Sequence, residues 1–286
     1  SNLQQILDFS NEFCRLTGMK LNIKKCLSWA TTMRGRAQLQ DLHIGDEKPT
    51  VASHERLLGA QMVYNCQHAA HKDVAERAEK ASQTCLRIES THLPLSAKAD
   101  LVGASVIPKL LYDTQISPLS KEDTSHWRAK IARSIWGRGC PTRCIEMLFS
   151  LLTKGHSCDP WQASVCRIFL SAHRMLRRYA DCTETFWRLL HQGVSLHNGQ
   201  GPVARLRWAL RCVGWQCGEH FFTFKRKNGC EVHLLECDAD LLAHLVRKDL
   251  RKAVWAHAAA RRTDMRGCDA PQGIDRTATL ALLNQT

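Results

Sequence analysis

The sequence has 286 residues, of which 44% are hydrophobic and 23% are charged, so it can bury a sizeable core and is too apolar to be disordered throughout. Lys and Arg number 40 against 27 Asp and Glu, which gives a formal net charge of +13. A surplus of this size favours a polyanionic partner, because each cation placed on a phosphate releases a condensed counterion. Composition alone also allows a basic protein with no role in nucleic-acid binding.

The positive charge is concentrated in the middle of the chain. Between Ser125 and Trp215 there are 14 Lys and Arg but only four acidic residues. A solvated surface without a binding role would spread its charge more evenly. This segment is therefore the one that we expect to contact a polyanion.

The cysteine content indicates a reducing environment. The 14 cysteines lie below the level typical of a disulfide scaffold, and they are scattered through apolar stretches where free cysteine behaves as a small hydrophobe. We therefore expect an intracellular protein. No apolar run is long enough to span a bilayer and no secretory signal is visible, so we expect no membrane contact. Because the sequence begins without Met, we also expect it to be a fragment.

The first predicted elements are a helix and short strands. Apolar residues at helical spacing predict a helix over 3–16. Alternation of apolar and polar residues predicts a half-buried strand over 19–24, and the polar stretch 34–50 predicts a loop. A further strand is predicted over 57–63, with a bulge or close backbone approach at Gly59.

Helices are predicted through the centre of the chain. Helical patterns cover 67–87 and 96–112, and Pro108 should kink or break the second of them. A capping box opens a helix at Ser120, in which Trp127, Ile131 and Ile135 share one face before Gly137 ends it. Asp159-Pro160 predicts the start of another helix, which reaches about Tyr179.

Residues 193–202 are typical of a linker, and Asn228-Gly229 predicts the turn of a β-hairpin. Two further helices are predicted around 241–255 and 280–283. The predicted fold class is mainly α with small β elements (α+β).

Three motifs occur in a specific order in the first half of the chain. The first is Gly18-Met19-Lys20-Leu21-Asn22-Ile23-Lys24-Lys25, and the second is Leu58-Gly59. The third comprises Leu93-Pro94, Lys98, Pro108-Lys109-Leu110-Leu111-Tyr112 and Ile131-Ala132-Arg133-Ser134-Ile135-Trp136-Gly137. With these motifs the chain resembles the non-LTR (LINE-type) retrotransposon reverse transcriptases over residues 1–137.

The resemblance implies a domain organisation and a function. Residues 1–64 would be the end of a polymerase palm with a strand remnant, 65–137 a helical thumb, and 138–286 a basic helical post-thumb extension with a hairpin near 219–237. The family's catalytic Asp pair precedes the first motif and is missing from this chain. We therefore expect a part of an RNA-directed DNA polymerase that contributes template–primer binding and is inactive alone.

The resemblance also bears on cofactors and location. Polymerisation uses two divalent metals held by paired carboxylates, so Mg²⁺ is expected only for the complete polymerase and no cofactor is expected in this chain. The partners implied are RNA and DNA, as a template–primer hybrid contacted mostly through phosphates, and the missing upstream polymerase segment. A nuclear location is implied by the family alone.

The predicted nucleic-acid contacts come from two sources. The resemblance implies roles for Asn22, Lys25, Leu58 and Gly59, with Lys25 near an incoming triphosphate and Gly59 near the primer. A solvated lysine is the alternative for Lys25 and a plain bulge the alternative for Gly59. Asn22 fits a turn-forming or backbone hydrogen-bonding role better than a ligand contact. The charge pattern predicts phosphate contacts by Arg128, Lys130, Arg133, Arg138, Arg174, Arg177 and Arg178.

No catalytic or metal-binding residue is predicted. Tyr179-Ala180-Asp181-Cys182 superficially mimics the family's Tyr-x-Asp-Asp turn, but it lacks the second Asp and follows the thumb. The spacing of Cys212, Cys217, His233 and Cys237 loosely resembles a closed four-ligand zinc site, although the same side chains would also fit a small core.

Two alternatives to a polymerase part stay open. One is a non-catalytic nucleic-acid-binding or protein-scaffold remnant, whose apolar helices dock a partner. The other is a decayed reading frame with no selected function.

Overall fold

The computed structural model describes residues 2–52, 54–57, 60–63, 71–112, 114, 119–137, 144–192, 201–263 and 277, with side chains for all of these except 54–57, 60–63 and 71–75. The chain divides into two compact units, Ser1–Ala75 and Glu76–Thr286. Three predicted contact residues, Leu58, Gly59 and Arg138, lie outside the described residues, as do 193–200 of the predicted linker and the helix predicted over 280–283.

The first unit contains two helices and short strands. Its elements are helix α1 (Asn2–Leu16), a 3₁₀ turn (Ile23–Lys25), strand β1 (Leu27–Ser28), helix α2 (Met33–Leu39) and strands β2 (Thr50–Val51), β3 (His54–Leu57) and β4 (Ala60–Val63). β1 pairs in parallel with β2, and β3 pairs antiparallel with β4. The predicted first helix is confirmed.

Two expectations for this unit are wrong. The strand predicted over 19–24 is replaced by the 3₁₀ turn, because the carbonyl of Asn22 accepts a hydrogen bond from the Lys25 N–H at 2.9 Å and so bends the backbone. The loop predicted over 34–50 begins instead with α2. There the Thr32 hydroxyl accepts a hydrogen bond from the Gly35 N–H at 3.1 Å, which caps the helix.

The second unit is mainly helical. Its helices are α3 (His71–Glu89, which begins in the first unit), α4 (Leu95–Leu101), α5 (Ile107–Leu110), α6 (Lys121–Trp136), α7 (Ile145–Met147), α8 (Gly155–Cys158), α9 (Pro160–Arg178), α10 (Thr183–His191), α11 (Pro202–Val213) and α12 (Ala239–Arg261). Two π-helical turns, Val102–Val106 and Leu148–Leu152, and a 3₁₀ turn, Ala180–Cys182, complete the helical structure. A small antiparallel sheet has the order β5 (Gln216–Cys217), β6 (Thr223–Lys225), β7 (Glu231–His233).

The kink or break predicted at Pro108 takes the form of a change in helix type before the proline. The π-helical turn Val102–Val106 separates α4 from α5, and Pro108 lies in the first turn of α5. A proline is tolerated there because the N–H it lacks would have no partner within the helix.

Two large apolar clusters, and a small third one of Leu151, Trp255 and Ala258, form the core of the second unit. One is built on α3 to α6, where Trp127, Ile131 and Ile135 are buried on one face of α6 as the sequence predicts. The other joins α9, α11 and α12 to the sheet, where Phe222 and Phe224 are fully buried. The α9 helix contributes buried residues to both clusters, so it is the central element of this unit.

The sheet is attached to α12 by a partly buried carboxylate. The β6–β7 hairpin turns at Asn228-Gly229 as predicted, and Gly229 adopts a positive φ of 83°. Asp249 of α12 accepts hydrogen bonds from the Trp215 indole at 2.7 Å and from two guanidinium nitrogens of Arg226 at 2.7 and 2.9 Å. Burial by itself would raise the pKa of Asp249, but these donors outweigh it and hold the pKa below its ordinary value.

Another carboxylate, which is fully buried, begins α9. Asp159 is fully buried and accepts a hydrogen bond from the Trp161 N–H, as the expected N-cap, and another from the Gln162 side chain. Arg128 of α6 donates two hydrogen bonds to its oxygens, each at 3.0 Å. The sequence pair Asp159-Pro160 thus predicts the helix start, whereas the link to α6 is visible only in the fold.

The cysteines in the described part of the chain are all free thiols. Within the same ranges, no helix is both long enough and apolar enough to cross a membrane.

Replacement of Asp159 by Ala should lower the free energy of unfolding by about 3–5 kcal/mol, because Arg128 would keep a largely buried charge without its partner. Asp159→Asn should cost less, since its amide oxygen can still accept from the Trp161 N–H. Urea denaturation followed by tryptophan fluorescence measures both changes. Asp181→Ala, at an exposed acidic position after α9, serves as the control and should change stability by less than about 0.5 kcal/mol. Equal stability of all these proteins would show that the ion pair is unimportant.

Candidate nucleic-acid interface

The exposed arginines of α9 lie together on its surface. Phe169, Ala172 and Leu176 are buried against the rest of the unit, whereas Arg174, Arg177 and Arg178 are exposed. Residues three and four apart are neighbours on a helix, so the three guanidinium groups occupy one region. The amphipathic pattern of α9 therefore places its apolar face in the core and its three arginines on the solvent-exposed face.

A second helix completes a groove with these arginines. Arg174, Arg177 and Arg178 line a surface groove of about 560 Å³ together with Arg247 of α12. We call these four residues the arginine groove. Its other lining residues are Leu170, His173, Ala239, Asp240 and Ala243. The four cations against the single carboxylate of Asp240 give the groove a clear positive charge.

The guanidinium groups of the arginine groove are available to a ligand. None of the four forms an ion pair with an acidic side chain in the described part of the chain. The ring of His173, at the base of the groove, lies 2.9 Å from the carbonyl oxygen of Cys237 and so holds the start of α12 near α9. Guanidinium groups bind phosphate through two parallel hydrogen bonds, which makes such a surface suited to a nucleic-acid backbone.

The basic residues predicted on α6 have internal partners instead. Arg128 forms the buried ion pair with Asp159, and Arg133 pairs with Glu89 of α3 at 3.3 Å. Lys130 donates to the Ser82 hydroxyl, also on α3, and its ammonium lies 5.2 Å from the centre of the Trp127 ring. These three residues connect α6 to its neighbours. The structure therefore gives them a packing role that the charge pattern does not indicate.

The two predicted contact residues of the first motif, Asn22 and Lys25, are exposed. Asn22 precedes the 3₁₀ turn and Lys25 ends it, both in the first unit. Of the two tryptophans on α6, Trp127 is buried in the cluster built on α3 to α6, and Trp136 packs at the edge of that cluster. Both side chains therefore serve mainly as core.

The four possible zinc ligands do not form a metal site in the part of the chain that is described. No group of three or more His, Cys, Asp or Glu side chains there has the arrangement needed to hold a metal ion. Cys212 is largely buried in α11, and burial raises the pKa of its thiol to about 11. Cys217 is exposed on β5, and the His233 ring lies 3.8 Å from Glu236.

A small polar pocket adjoins the arginine groove. It has a volume of about 50 Å³ and is lined by Phe149, Ser150, Thr153, Lys154, Gly155, His156, Gln162, Arg247 and Arg251. We call it the Lys154 pocket. Arg247 lines both the pocket and the groove, so the two sites are contiguous. The charge count over Ser125–Trp215 includes Lys154 but not Arg247 and Arg251 of α12, which lie outside that segment. Their spacing of four residues predicts that they share one face of a helix.

The Lys154 pocket strongly perturbs its histidine. Burial, followed by the positive charges of Arg247, Arg251 and Lys154, lowers the pKa of His156 to about 4. The imidazole is therefore neutral at physiological pH, because burial and the three nearby cations both oppose its protonation. A field that opposes protonation in this way attracts an anion.

A larger cavity of about 430 Å³ has its polar groups already engaged. It is lined in part by Trp161 and Trp208, and the Arg205 guanidinium lies 4.3 Å from the centre of the Trp208 ring. Arg205 donates to the carbonyl of Thr114 at 3.1 Å. The buried Glu146 accepts from Arg261 at 2.6 Å. These groups stabilise the fold, so the cavity offers a ligand fewer open contacts than the groove does.

The ring resonances of His156 should titrate near pH 4 in an NMR experiment, and not near the ordinary value of 6.5. Because the folded pKa is lowered, the unfolded chain takes up a proton between these two values that the folded chain does not, so this residue destabilises the fold as pH falls through that window. Arg251→Gln removes one nearby cation and should raise the His156 pKa. His156→Asn assigns the resonance. A midpoint above pH 6 in the unmodified chain would refute the assignment of a buried, cation-flanked ring.

Comparison of the chain with protein-family models, with curated proteins and with solved structures gives no match. Similarity therefore assigns it to no family. Its function has to be inferred from the residues themselves and from the geometry that they adopt, in particular the arginine groove and the Lys154 pocket beside it.

Proposed function

We propose that this chain is part of a retrotransposon RNA-directed DNA polymerase of the non-LTR type, in which the second unit contributes template–primer binding. The observation that carries the proposal is the arginine groove, where four exposed guanidinium groups from α9 and α12 line one surface. The order of the three motifs in residues 1–137 supports the choice of polymerase class. The groove supports the choice of partner.

The groove favours contacts with the nucleic-acid backbone over reading of bases. Its cations are all arginines and its apolar lining residues are aliphatic, while the ring of His173 is buried and held by the Cys237 carbonyl, so it does not offer an exposed face to an unstacked base. Phosphate contacts position a duplex without carrying sequence information. We therefore propose binding that depends on backbone shape and charge, as template–primer handling by a polymerase requires.

The chemistry of polymerisation is assigned to residues beyond this chain. The sequence contains no Tyr-x-Asp-Asp turn, and Asp181, in the superficially similar segment, lies alone in the 3₁₀ turn between α9 and α10. Paired carboxylates with Mg²⁺ would be supplied by an upstream palm. The role proposed for Lys25, near an incoming triphosphate, depends on that palm as well.

The exposed face of α1 favours a second candidate function. This helix buries none of its residues, and its large apolar side chains are exposed: Leu3, Ile6, Phe9, Phe13 and Leu16. Apolar patches of this kind mark contacts with other protein. In the polymerase proposal the upstream palm covers this face. In the alternative, a non-catalytic nucleic-acid-binding or scaffold remnant, another protein does.

A triple variant tests the groove directly. Arg174→Gln, Arg177→Gln and Arg178→Gln together should weaken binding to an RNA–DNA hybrid and lower the slope of log affinity against log salt concentration by about 2–3, because roughly one counterion is released per phosphate contact. Fluorescence anisotropy over a range of salt concentrations measures this. The matched control is Arg188→Gln, Arg211→Gln and Lys225→Gln, which removes the same charge at exposed positions outside the groove.

The two triple variants distinguish binding by the arginine groove from attraction by the net charge of the chain. The control should keep a salt slope within about one unit of the unmodified chain. Equal loss in both variants would mean that net charge alone drives binding, and an absence of binding at low salt would favour the scaffold alternative.

Membership of a polymerase has a test of its own. The genomic reading frame should continue upstream of Ser1 into a Tyr-x-Asp-Asp sequence, and the longer protein should extend a primer with Mg²⁺ while the 286-residue chain does not. An independent promoter and start codon at this position, with no such upstream frame, would rule the polymerase out. Primer extension by the 286-residue chain would contradict the absence of catalytic carboxylates.

A further inference from the structure

We propose that the Lys154 pocket binds one phosphate group, and that the natural source of that group is the terminal phosphate of a nucleic-acid strand lying in the arginine groove. The nucleic-acid source of the phosphate rests on the function proposed above, whereas phosphate binding by the pocket does not. The inference follows from the size of the pocket, its charge, its unsatisfied polar group and its position.

The size of the pocket restricts the ligand. One water molecule needs roughly 10–15 Å³ of such space, so a volume of about 50 Å³ admits a handful of non-hydrogen atoms. A tetrahedral phosphate group has five. A nucleobase or a sugar is too large, so the ligand is a small anion or the anionic end of a longer molecule.

The charge of the pocket specifies an anion. Lys154, Arg247 and Arg251 converge on it from two parts of the fold, the segment before α8 and the middle of α12. None of the three has an acidic partner among the described residues. The same three charges are among the causes that hold the His156 pKa far below its ordinary value. A bound anion would offset them.

A buried hydroxyl lacks a partner at the same place. Ser150 lines the pocket and is only 5% exposed, and its Oγ has no hydrogen-bond partner among the described residues. Burial of a hydroxyl without a hydrogen bond is unfavourable, and a phosphate oxygen would accept the missing bond. Ser150 belongs to the π-helical turn Leu148–Leu152, an irregularity often found at functional sites.

At the wall of the pocket, the backbone at Gly155 packs closely against the backbone at Phe149. A β-carbon at Gly155 would lie 2.0 Å from the carbonyl oxygen of Phe149 and 2.6 Å from the side-chain nitrogen of Gln162. Only glycine therefore lets the chain fold back this closely after the π-helical turn. The hydroxyl of Thr153 donates to the carbonyl of Leu148 at 2.8 Å and fixes the same turn.

The position of the pocket indicates the source of the phosphate. Arg247 lines both sites, so a strand that follows the groove reaches the pocket at one end. The pocket is small and more enclosed than the groove, which suits a terminal phosphate better than an internal phosphodiester with chain on both sides. Inorganic phosphate shares the binding chemistry and is the alternative source.

The first arm of the test uses inorganic phosphate and the full 286-residue chain. Isothermal titration calorimetry should detect binding that Arg251→Gln weakens about tenfold or more and Ser150→Ala weakens severalfold, because each removes a hydrogen bond to the anion. Arg188→Gln, at an exposed position outside both the groove and the pocket, is the matched control and should change the affinity less than twofold. Unfolding temperatures close to that of the unmodified chain show that the variants are folded. Phosphate binding that is absent, or equally affected by Arg251→Gln and Arg188→Gln, would contradict phosphate binding by the pocket.

The second arm compares RNA–DNA hybrids that carry either a 5′-phosphate or a 5′-hydroxyl. The unmodified chain should bind the phosphorylated hybrid about tenfold more tightly, a gain typical of charged hydrogen bonds. Arg251→Gln should remove this preference and leave binding of the hydroxyl form nearly unchanged, whereas Arg178→Gln should weaken both forms equally.

The outcomes of the two arms are distinguishable. Hybrid binding without a preference for the 5′-phosphate overturns the strand-end source but leaves the groove intact. If inorganic phosphate binds in a way that depends on Arg251 but no hybrid binds at low salt, then the pocket is a phosphate site and the proposed function is wrong.

Discussion

The buried carboxylate of Asp159 is the interaction on which the second unit most depends. It begins α9 by accepting from the Trp161 N–H, and it joins α9 to α6 by accepting two hydrogen bonds from Arg128. A fully buried charge is tolerated only when its hydrogen-bonding capacity is satisfied, so both helices must lie in one arrangement. Because α9 contributes to both apolar clusters and carries three arginines of the groove, the direction of its basic face is set by this contact.

Pairing inside the protein, more than net charge, determines where a polyanion can bind. Arg128, Arg133 and Lys130 of α6 are paired with Asp159, Glu89 and Ser82, whereas the four arginines of the groove form no ion pair in the described ranges. The formal charge of +13 is therefore a poor guide to the binding surface by itself. The electrostatic field available to a ligand comes from the cations that the fold leaves uncompensated.

Much of the helical structure could be predicted from local signals. Ser120 and Asp159 identify two helix starts because a cap is made within three residues, and Asn228-Gly229 identifies a turn for the same reason. Alternation over 19–24 misleads, since a single backbone hydrogen bond from Lys25 to Asn22 bends the chain that a strand would extend. The partner of Arg128 lies 31 residues away in the sequence, and Arg247 and Lys154 come together only in the folded chain. Local sequence patterns carry no signal for such tertiary contacts, so these contacts could not be predicted from the sequence.

The shared position of Arg247 has a consequence for how many molecules bind. Two separate anions, one in the groove and one in the pocket, would compete for a single guanidinium and repel each other across it. A single strand with its own terminal phosphate avoids much of this penalty, since the second contact is made within the same molecule at a high effective concentration. If both proposed sites bind, the chain would thus be a bivalent receptor that prefers a strand whose backbone lies in the groove while its own terminal phosphate lies in the pocket.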